Sequence, residues 1–288
     1  MSDAAAFRTG KGHKDENFPV ASFILKPEHR APILCFYRFA RVADDVADHE
    51  TLSSAEKLAL LEVMRATLAG ESDQNPEALA LRGVLEERRL SPVHGLDLLR
   101  AFSRDATQRR YADWDELMDY CRYSASPVGR FVLDVHGESP ALWPANDALC
   151  SALQVINHLQ DCAKDYANLD RVYLPEDVLA RAGASVEALA APRASPELRG
   201  VIEGLARRTA GLLDRSRPFA AGIRDGRLAY EVALIQRLAE SLTGWLEHRD
   251  PLSDRVHHRP WNVAGLAAMA LMDRITGRGR GEFAKASA

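Results

Sequence analysis

Two pairs of aspartates are the part of this sequence best suited to chemistry. Asp44 precedes Asp48, and Asp161 precedes Asp165, by four residues in each case. On a helix, carboxylates at this spacing project from one face, and two like charges there destabilise an isolated helix. A bound Mg²⁺ would remove that repulsion, since Mg²⁺ prefers oxygen ligands and commonly binds one or two carboxylates together with substrate phosphates. The pairs therefore predict a metal-dependent site for a phosphate-bearing substrate.

Further polar residues extend each aspartate pair along its helix face. Tyr37 and Arg41 precede the first pair at the same spacing with which Gln154 and His158 precede the second, and Asn157 lies alongside. Apolar residues flank both polar stripes. Arg41 fits either an ion pair with the aspartates or a bidentate contact to diphosphate oxygens. Two polar stripes of matching register predict facing walls of one cavity.

The acidic stripes also have a simpler interpretation, a solvated helix end, which is the usual meaning of an isolated D-D-x-x-D. Two features argue against it. The helix that carries Asp44 is too apolar to be an exposed helix. The helix that carries Asp161 is also apolar, and an amide and two carboxylates on it are costly unless their polar atoms are satisfied. Lys164 and Arg171 are placed to neutralise diphosphate, although each also fits an exposed surface. His158 fits a packed residue better than a zinc ligand, because no zinc-binding motif accompanies it.

Helical periodicity dominates the chain, and no clear run of alternating β-branched residues occurs. Breakers containing proline or glycine separate the predicted helices. These cover roughly residues 30–49, 54–70, 76–89, 93–105, 113–123, 127–136, 145–168, 197–219, 225–247 and 260–275. Ser53 with Glu56, and Ser91 before Pro92, are helix-start signals. We expect one all-α domain over 1–288, with flexible tails at about 1–15 and 277–288.

Composition is that of an ordinary globular protein, with 288 residues, 47% hydrophobic and 27% charged. A net charge of −4 argues against a nucleic-acid partner. The N-terminus lacks a signal-peptide pattern, and four scattered cysteines predict reduced thiols in a cytoplasmic protein. No stretch reaches the roughly 18–20 apolar residues needed to span a bilayer. The apolar segment 261–272 predicts a core helix, and peripheral contact with the inner face of the membrane is the alternative.

Three stretches of the chain resemble the squalene/phytoene synthase family, which joins prenyl diphosphates head to head. They are the first motif from Tyr37 to Asp48, the segment YCRYSASPVG from Tyr120 to Gly129, and the second motif from Asn157 to Asp165 with its continuation to Pro175. The resemblance extends from about Asn17 to Arg255. It implies a single-domain class I isoprenoid synthase fold, an all-α helical bundle around a central cavity.

The resemblance implies roles for individual residues. Mg²⁺, or Mn²⁺ in its place, would be bound by Asp44, Asp48, Asn157, Asp161 and Asp165. Catalysis would use the four aspartates and Tyr123. The prenyl diphosphate substrate would be contacted by Phe18, Tyr37, Arg41, Gly129, Gln154, Arg171 and Tyr173. Aromatic walls, whose faces stabilise cations, would come from Phe18, Phe36, Tyr37, Tyr123 and Tyr173. Core packing is the alternative role for Phe18 and the favoured role for Phe36. No nicotinamide-binding glycine motif is visible, and no nicotinamide is expected.

Within the family, residues 16–22 and the phrase QVINHLQD at 154–161 resemble the bacterial hopanoid-pathway branch, the hydroxysqualene synthases. Many relatives carry an arginine where Gln160 lies, so this chain lacks one diphosphate contact. The resemblance implies an enzyme that takes presqualene diphosphate made elsewhere, ionises it and captures the rearranged cation with water. It also implies functional coupling to neighbouring enzymes of the hopanoid pathway.

Three alternatives remain open from the sequence. The first is a squalene, dehydrosqualene or presqualene diphosphate synthase that condenses two farnesyl diphosphates, for which the same residues would serve. The second is a non-catalytic assembly protein of the same fold, which would not need the four aspartates. The third is a chain-elongating prenyltransferase, whose second motif is usually another D-D-x-x-D.

Overall fold

Local sequence signals begin several helices of this protein. Ser53 starts a helix with a capping box, in which its hydroxyl accepts a hydrogen bond from the Glu56 amide and the Glu56 carboxylate accepts one from the Ser53 amide. The side chains of Asn75 and Ser195 cap two other helices, each with proline at the first helical position. Because these signals act over three residues, the sequence predicts such starts closely.

The structure is a computed structural model that describes residues 24–259, 263, 265–267, 269 and 270. This part of the chain contains no β-strand, which confirms the all-α class. Its α-helices are α1 (Pro27–Ala47), α2 (Ser54–Leu68), α3 (Pro76–Arg88), α4 (Val93–Asp105), α5 (Trp114–Ser124), α6 (Ser126–Val135), α7 (Trp143–Gln160), α8 (Cys162–Leu169), α9 (Glu176–Ala182), α10 (Pro196–Ser216), α11 (Phe219–Gly222) and α12 (Gly226–His248). The predicted helix 260–275 lies partly outside the described residues, and both predicted tails lie wholly outside them.

The predicted helix 145–168 is wrong in one respect, because it consists of two helices that meet at Asp161. This residue has φ −100° and ψ 8°, between the end of α7 and the start of α8. Its amide still bonds to the Asn157 carbonyl at 2.9 Å, and the Asp165 amide bonds to the Asp161 carbonyl at 2.8 Å. The four-residue register therefore continues through the break. The short helix α9 was missed by the sequence prediction.

Contacts divide the chain into two units, the first formed by residues 1–108 and 122–139. Within its described part, α1 packs against α2, α3, α4 and α6. Phe39 and Leu98 are almost completely buried in its core. A Cβ atom at Gly95 would lie 2.7 Å from Cδ2 of the buried Leu68, so a larger residue at this position of α4 would have to displace the Leu68 side chain of α2.

The second unit is formed by residues 109–121 and 140–288. In its described part, α7 packs against α10 and α12, which also pack against each other. Val155 and Ile156 of α7 are buried in this core, and the second acidic motif lies at the C-terminal end of α7. A single domain over 1–288 stays a prediction.

None of the four cysteines, all of which lie within the described residues, forms a disulfide bond. Cys121 and Cys162 are buried, while Cys35 and Cys150 are half-buried. Among the described helices, none is both long enough and apolar enough to cross a membrane.

Candidate functional site

The first acidic motif lies on the C-terminal half of α1. Tyr37, Arg41, Asp44 and Asp48 are half-buried there, whereas Phe36 on another face is buried and stacks on Phe131 with ring centroids 4.1 Å apart. The helix continues through Ala47, so the polar residues share one face as the spacing predicts. Phe36 thus has the core-packing role that the sequence favours for it.

Arg41 is held by two different carboxylates of its own helix. Its Nη1 donates to Asp44 Oδ2 at 2.7 Å, and its Nη2 donates to Asp45 Oδ1 at 2.9 Å. Asp45 is buried, with 8% of its surface exposed. The ion pair considered in the sequence is therefore present, and it places the guanidinium directly beside the candidate metal ligand Asp44.

The Asp44 carboxyl lies in an unfavourable environment for its negative charge. Burial, then repulsion from Asp48, raises its pKa to about 8, while Arg41 acts in the opposite direction. Asp105 and Asp45 add smaller repulsions. Because 34% of the Asp44 side chain remains accessible, water screens part of this effect. A divalent cation would stabilise the charged form.

Asp105 was missed by the sequence analysis. It is the last residue of α4 and is 7% exposed, and its charge acts on Asp44 within the first unit. Its sequence signal is weak, because it lies far from the motif and resembles an ordinary acidic residue at a helix end. Only the packing of α4 against α1 reveals it.

The second acidic motif crosses the junction of α7 and α8. Asn157, Asp161 and Asp165 are half-buried, and the continuing backbone register spaces them one turn apart. Lys164 Nζ lies 3.9 Å from Asp161 Oδ1, while 57% of the lysine side chain is exposed. Gln154 is half-buried one turn before Asn157. The Lys164 cation and the oxygen donors of Asn157, Asp161 and Asp165 thus occur together in the second unit.

These donors match Mg²⁺ by chemical type. Within the described residues, no three His, Cys, Asp or Glu side chains are grouped so as to hold a metal ion. Mg²⁺ usually keeps several waters and takes one or two carboxylates together with substrate phosphates. Asp44 and Asp48 in the first unit, and Asp161 and Asp165 in the second, meet that requirement. The residues present therefore fit Mg²⁺ that a bound diphosphate helps to coordinate.

A buried aromatic cluster includes His158, which lies on α7 between Asn157 and Asp161 of the second motif. The rings of His158 and Tyr173 stack with centroids 3.4 Å apart, and Tyr120 Oη lies 3.5 Å from Tyr173 Oη. Arg171, 6% exposed, donates from Nη1 to Tyr173 Oη at 3.3 Å. Burial, then the Arg171 charge, lowers the pKa of His158 to about 3. His158 is thus a neutral packed residue, as predicted.

Hydrogen bonds between distant segments position this cluster. The Val172 amide donates to the Arg109 carbonyl and the Glu176 amide to the Tyr111 carbonyl, each at 2.9 Å. Asp170, whose φ is +49°, accepts hydrogen bonds from the Arg109 side chain at 3.0 Å. Arg171 and Tyr173 are therefore held by pairing with residues about 60 positions earlier, which no local pattern indicates.

The structure places Tyr123 and Tyr120 in different surroundings, although both lie on α5. Tyr123 is half-buried in the first unit, beneath the Arg100 guanidinium at 4.1 Å from the ring centroid. Tyr120 is buried in the cluster with Tyr173 of the second unit. The catalytic role of Tyr123 stays a prediction, and Tyr120 is a candidate that the sequence analysis missed.

The small-residue stretch after α5 contains a helix break. The break lies at Ala125, between the end of α5 and the start of α6, with Pro127 in the first turn of α6. Gly129 is half-buried inside α6. Its predicted contact with substrate stays a prediction, and Phe18 lies outside the described residues.

Comparison with known proteins identifies the family. The squalene/phytoene synthase family model matches residues 11–262. The hydroxysqualene synthase of Zymomonas mobilis is 58% identical, with 95% of this chain and 93% of that protein covered, and that of Rhodopseudomonas palustris is 54% identical, with 97% of each covered. A squalene synthase structure from Alicyclobacillus acidocaldarius has a TM-score of 0.69 at 32% identity, covering 78% of this chain and 85% of that one. With both aspartate motifs on helices and this similarity over nearly its whole length, the chain belongs to the squalene/phytoene synthase family.

Proposed function

We propose that this protein is a Mg²⁺-dependent hydroxysqualene synthase, which converts presqualene diphosphate and water into hydroxysqualene and diphosphate. The near-full-length similarity to enzymes of that name carries the proposal. The half-buried carboxylates of both motifs and the nearby cations Arg41 and Lys164 support it, because these groups suit a diphosphate and its metal ions.

Ionisation of the substrate is the first step to be stabilised. The C–O bond to the diphosphate breaks, and its electron pair leaves with the diphosphate. Bound Mg²⁺, held by Asp44 and Asp48 in the first unit and by Asn157, Asp161 and Asp165 in the second, would supply positive charge to this leaving group. Arg41 and Lys164 add positive charge from the chain itself.

Capture of the rearranged cation by water completes the reaction. The water oxygen forms the new C–O bond and its proton is released, so oxidation states balance without a reductant. Aromatic faces stabilise cations, and Tyr173 is the candidate for that role in the second unit. Arg171, bonded to the Tyr173 hydroxyl, would orient this ring.

A condensing synthase is the second candidate function. The similarity to a solved squalene synthase at 32% identity favours it, and the same acidic residues would serve two farnesyl diphosphates. A C30 alcohol or hydrocarbon product is strongly apolar and partitions into lipid. We infer a cytoplasmic enzyme that releases its product at the inner face of the membrane and is coupled to the enzyme that supplies its substrate.

A product assay separates the two functions. Purified protein is incubated with Mg²⁺, without nicotinamide, and with either presqualene diphosphate or farnesyl diphosphate. We expect a C30 alcohol from presqualene diphosphate and no product from farnesyl diphosphate. A C30 diphosphate or hydrocarbon from farnesyl diphosphate would move the protein to the condensing group. Inertness toward both substrates would favour the non-catalytic assembly protein.

A further inference from the structure

Gln160, the residue immediately before Asp161, has a structural partner far along the chain. Its side-chain Nε2 donates a hydrogen bond to the backbone carbonyl of Val256, 96 positions later. Both residues are buried, Gln160 with 8% and Val256 with 2% of its surface exposed. This hydrogen bond between two buried groups ties the segment after α12 to the end of α7.

The segment 249–259 is anchored at further points on either side of Val256. Asp250 accepts a hydrogen bond from the Ala194 amide at 2.9 Å. His258 Nε2 lies 3.1 Å from the Leu238 carbonyl, and its ring packs on Trp245 with centroids 4.8 Å apart. The segment is thus a built part of the second unit, held at three places along its length.

His257 lies between these anchors, in the electrostatic environment of the second acidic motif. The charged groups that act on it are Asp161, Arg255 and Lys164. Its Nδ1 atom is buried and has no hydrogen-bond partner among the described residues. Buried polar atoms in folded proteins nearly always have a hydrogen-bond partner, so this nitrogen indicates an ordered water or a ligand.

We propose that Gln160 is a positioning residue, which through its hydrogen bond to Val256 holds His257 beside Asp161 so that the imidazole binds an oxygen of the diphosphate. The ligand class rests on the proposed function. The Gln160 amide donates to the backbone of the segment 249–259, and it is that segment, through His257, that would contact the diphosphate.

Calorimetric titration with inorganic diphosphate in the presence of Mg²⁺ tests the proposal. His257→Asn removes the imidazole, and Gln160→Met keeps the length of the side chain but removes its donor. We expect each variant to bind at least about 10-fold more weakly, because each loses a hydrogen bond to a charged ligand. The double variant is expected to bind no more weakly than His257→Asn alone, because Gln160 acts through His257.

Controls separate a binding role from a general loss of structure. His248→Asn changes an exposed histidine at the end of α12 and should leave affinity unchanged. His257→Gln, whose longer side chain carries its amide as far as the outer nitrogen of the imidazole, should recover part of the affinity that His257→Asn loses. Wild-type affinity in His257→Asn would overturn the proposal, and additive losses in the double variant would overturn the positioning role of Gln160. If Gln160→Met fails to fold, displacement of the His257 ring resonance by Mg²⁺–diphosphate in the unmodified protein decides the imidazole contact.

The outcome is separable from that of the product assay. Inorganic diphosphate carries no prenyl chain, so its affinity does not depend on which prenyl substrate the enzyme uses. Loss of binding in His257→Asn together with inertness toward presqualene diphosphate would reject the proposed function and keep the His257 contact. Turnover of presqualene diphosphate with unchanged diphosphate binding in His257→Asn would do the reverse.

Discussion

The acidic side chains of α1 show how repulsion and neutralisation coexist at one position. Asp44 is bonded to Arg41 at 2.7 Å, yet burial and Asp48 still raise its pKa. The single guanidinium of Arg41, shared between Asp44 and Asp45, does not balance the repulsion that Asp48, Asp105 and Asp45 exert on Asp44. Such residual negative charge favours a divalent cation, which is the physical basis for assigning this face to Mg²⁺.

Replacing a metal ligand should abolish turnover without unfolding the helices. We expect Asp44→Asn and Asp161→Asn each to lower kcat by at least about 100-fold, because the neutral amide weakens the cation that stabilises the leaving group. Turnover of presqualene diphosphate and the far-ultraviolet circular dichroism spectrum are the two measurements. Asp214→Asn, at a carboxylate with 64% of its side chain exposed, is the matched control. Unchanged turnover in either variant would refute the site assignment.

His158 should make stability depend on pH. Its pKa is about 3 in the folded protein against an ordinary value of 6.5, so below pH 6.5 the unfolded chain binds a proton that the folded chain does not. The free energy of unfolding therefore does not depend on the protonation of His158 above pH 6.5, and it decreases as the pH falls from 6.5 toward 3. His158→Phe keeps the ring stacked on Tyr173 and removes the titration. Below pH 6.5, we expect the free energy of unfolding of the variant to rise relative to that of the wild type by up to about 1.4 kcal/mol for each pH unit of acidification.

Urea unfolding at a series of pH values measures this difference. Above pH 7 the stability gap between His158→Phe and the wild type should stay constant, since both side chains are then neutral. His248→Gln, at an exposed histidine, should give curves parallel to those of the wild type. A gap that is equally constant between pH 4 and 6.5 would show that His158 is not held neutral by the fold.

At the scale of helices, the break between α7 and α8 falls within the second acidic motif. The break at Asp161 ends α7 and starts α8 while the backbone bonds to Asn157 and from Asp165 persist. The carboxylates therefore keep the spacing of one helix although the helix is interrupted. Similarly, the break at Ala125 separates α5 from α6.

The capping box at the start of α2 gives a prediction at this scale. Ser53→Ala removes the hydroxyl that accepts the Glu56 amide, and losing such a cap costs about 1 kcal/mol. For a chain of this size we expect the melting temperature to fall by about 2 °C. Ser53→Asp keeps an oxygen acceptor and should melt with the wild type. Equal melting of all three proteins in calorimetry would mean that water replaces the cap fully.

At the scale of the whole molecule, each of the two units carries one acidic motif. The first holds Asp44 on α1 and Asp48 at its C-terminal cap, and the second holds Asp161 and Asp165 at the junction of α7 and α8. The sequence predicts that both motifs serve one diphosphate. Diphosphate binding to variants that each lack one carboxylate of a single motif tests this prediction.

Diphosphate with Mg²⁺ should stabilise the molecule as a whole. A ligand that binds only the folded state adds about 2.7 kcal/mol at 100 times its Kd. We expect a rise in melting temperature with both components and little with either alone. If both motifs serve one diphosphate, Asp48→Asn or Asp165→Asn should each abolish the rise. A full rise in either variant would show that its motif is dispensable for the diphosphate.

The sequence by itself determined the all-α class, most helix positions and the spacing of both acidic motifs. These features depend on interactions within about one turn of helix, such as the Ser53–Glu56 box and the four-residue register of Asp44 and Asp48. Nearby residues in the sequence supply both partners of each such interaction. That is why motif and helix could be read together before any tertiary contact was known.

Tertiary structure alone decided which distant residues join these motifs. It brought the charge of Asp105 to bear on Asp44, placed Tyr120 beside Tyr173 and bonded Gln160 to the carbonyl of Val256. Each of these contacts joins segments separated by 50 to 100 positions, and none has a periodic signal in the sequence. They follow from how helix faces pack, because burial brings a side chain against whichever partner the packed neighbour presents.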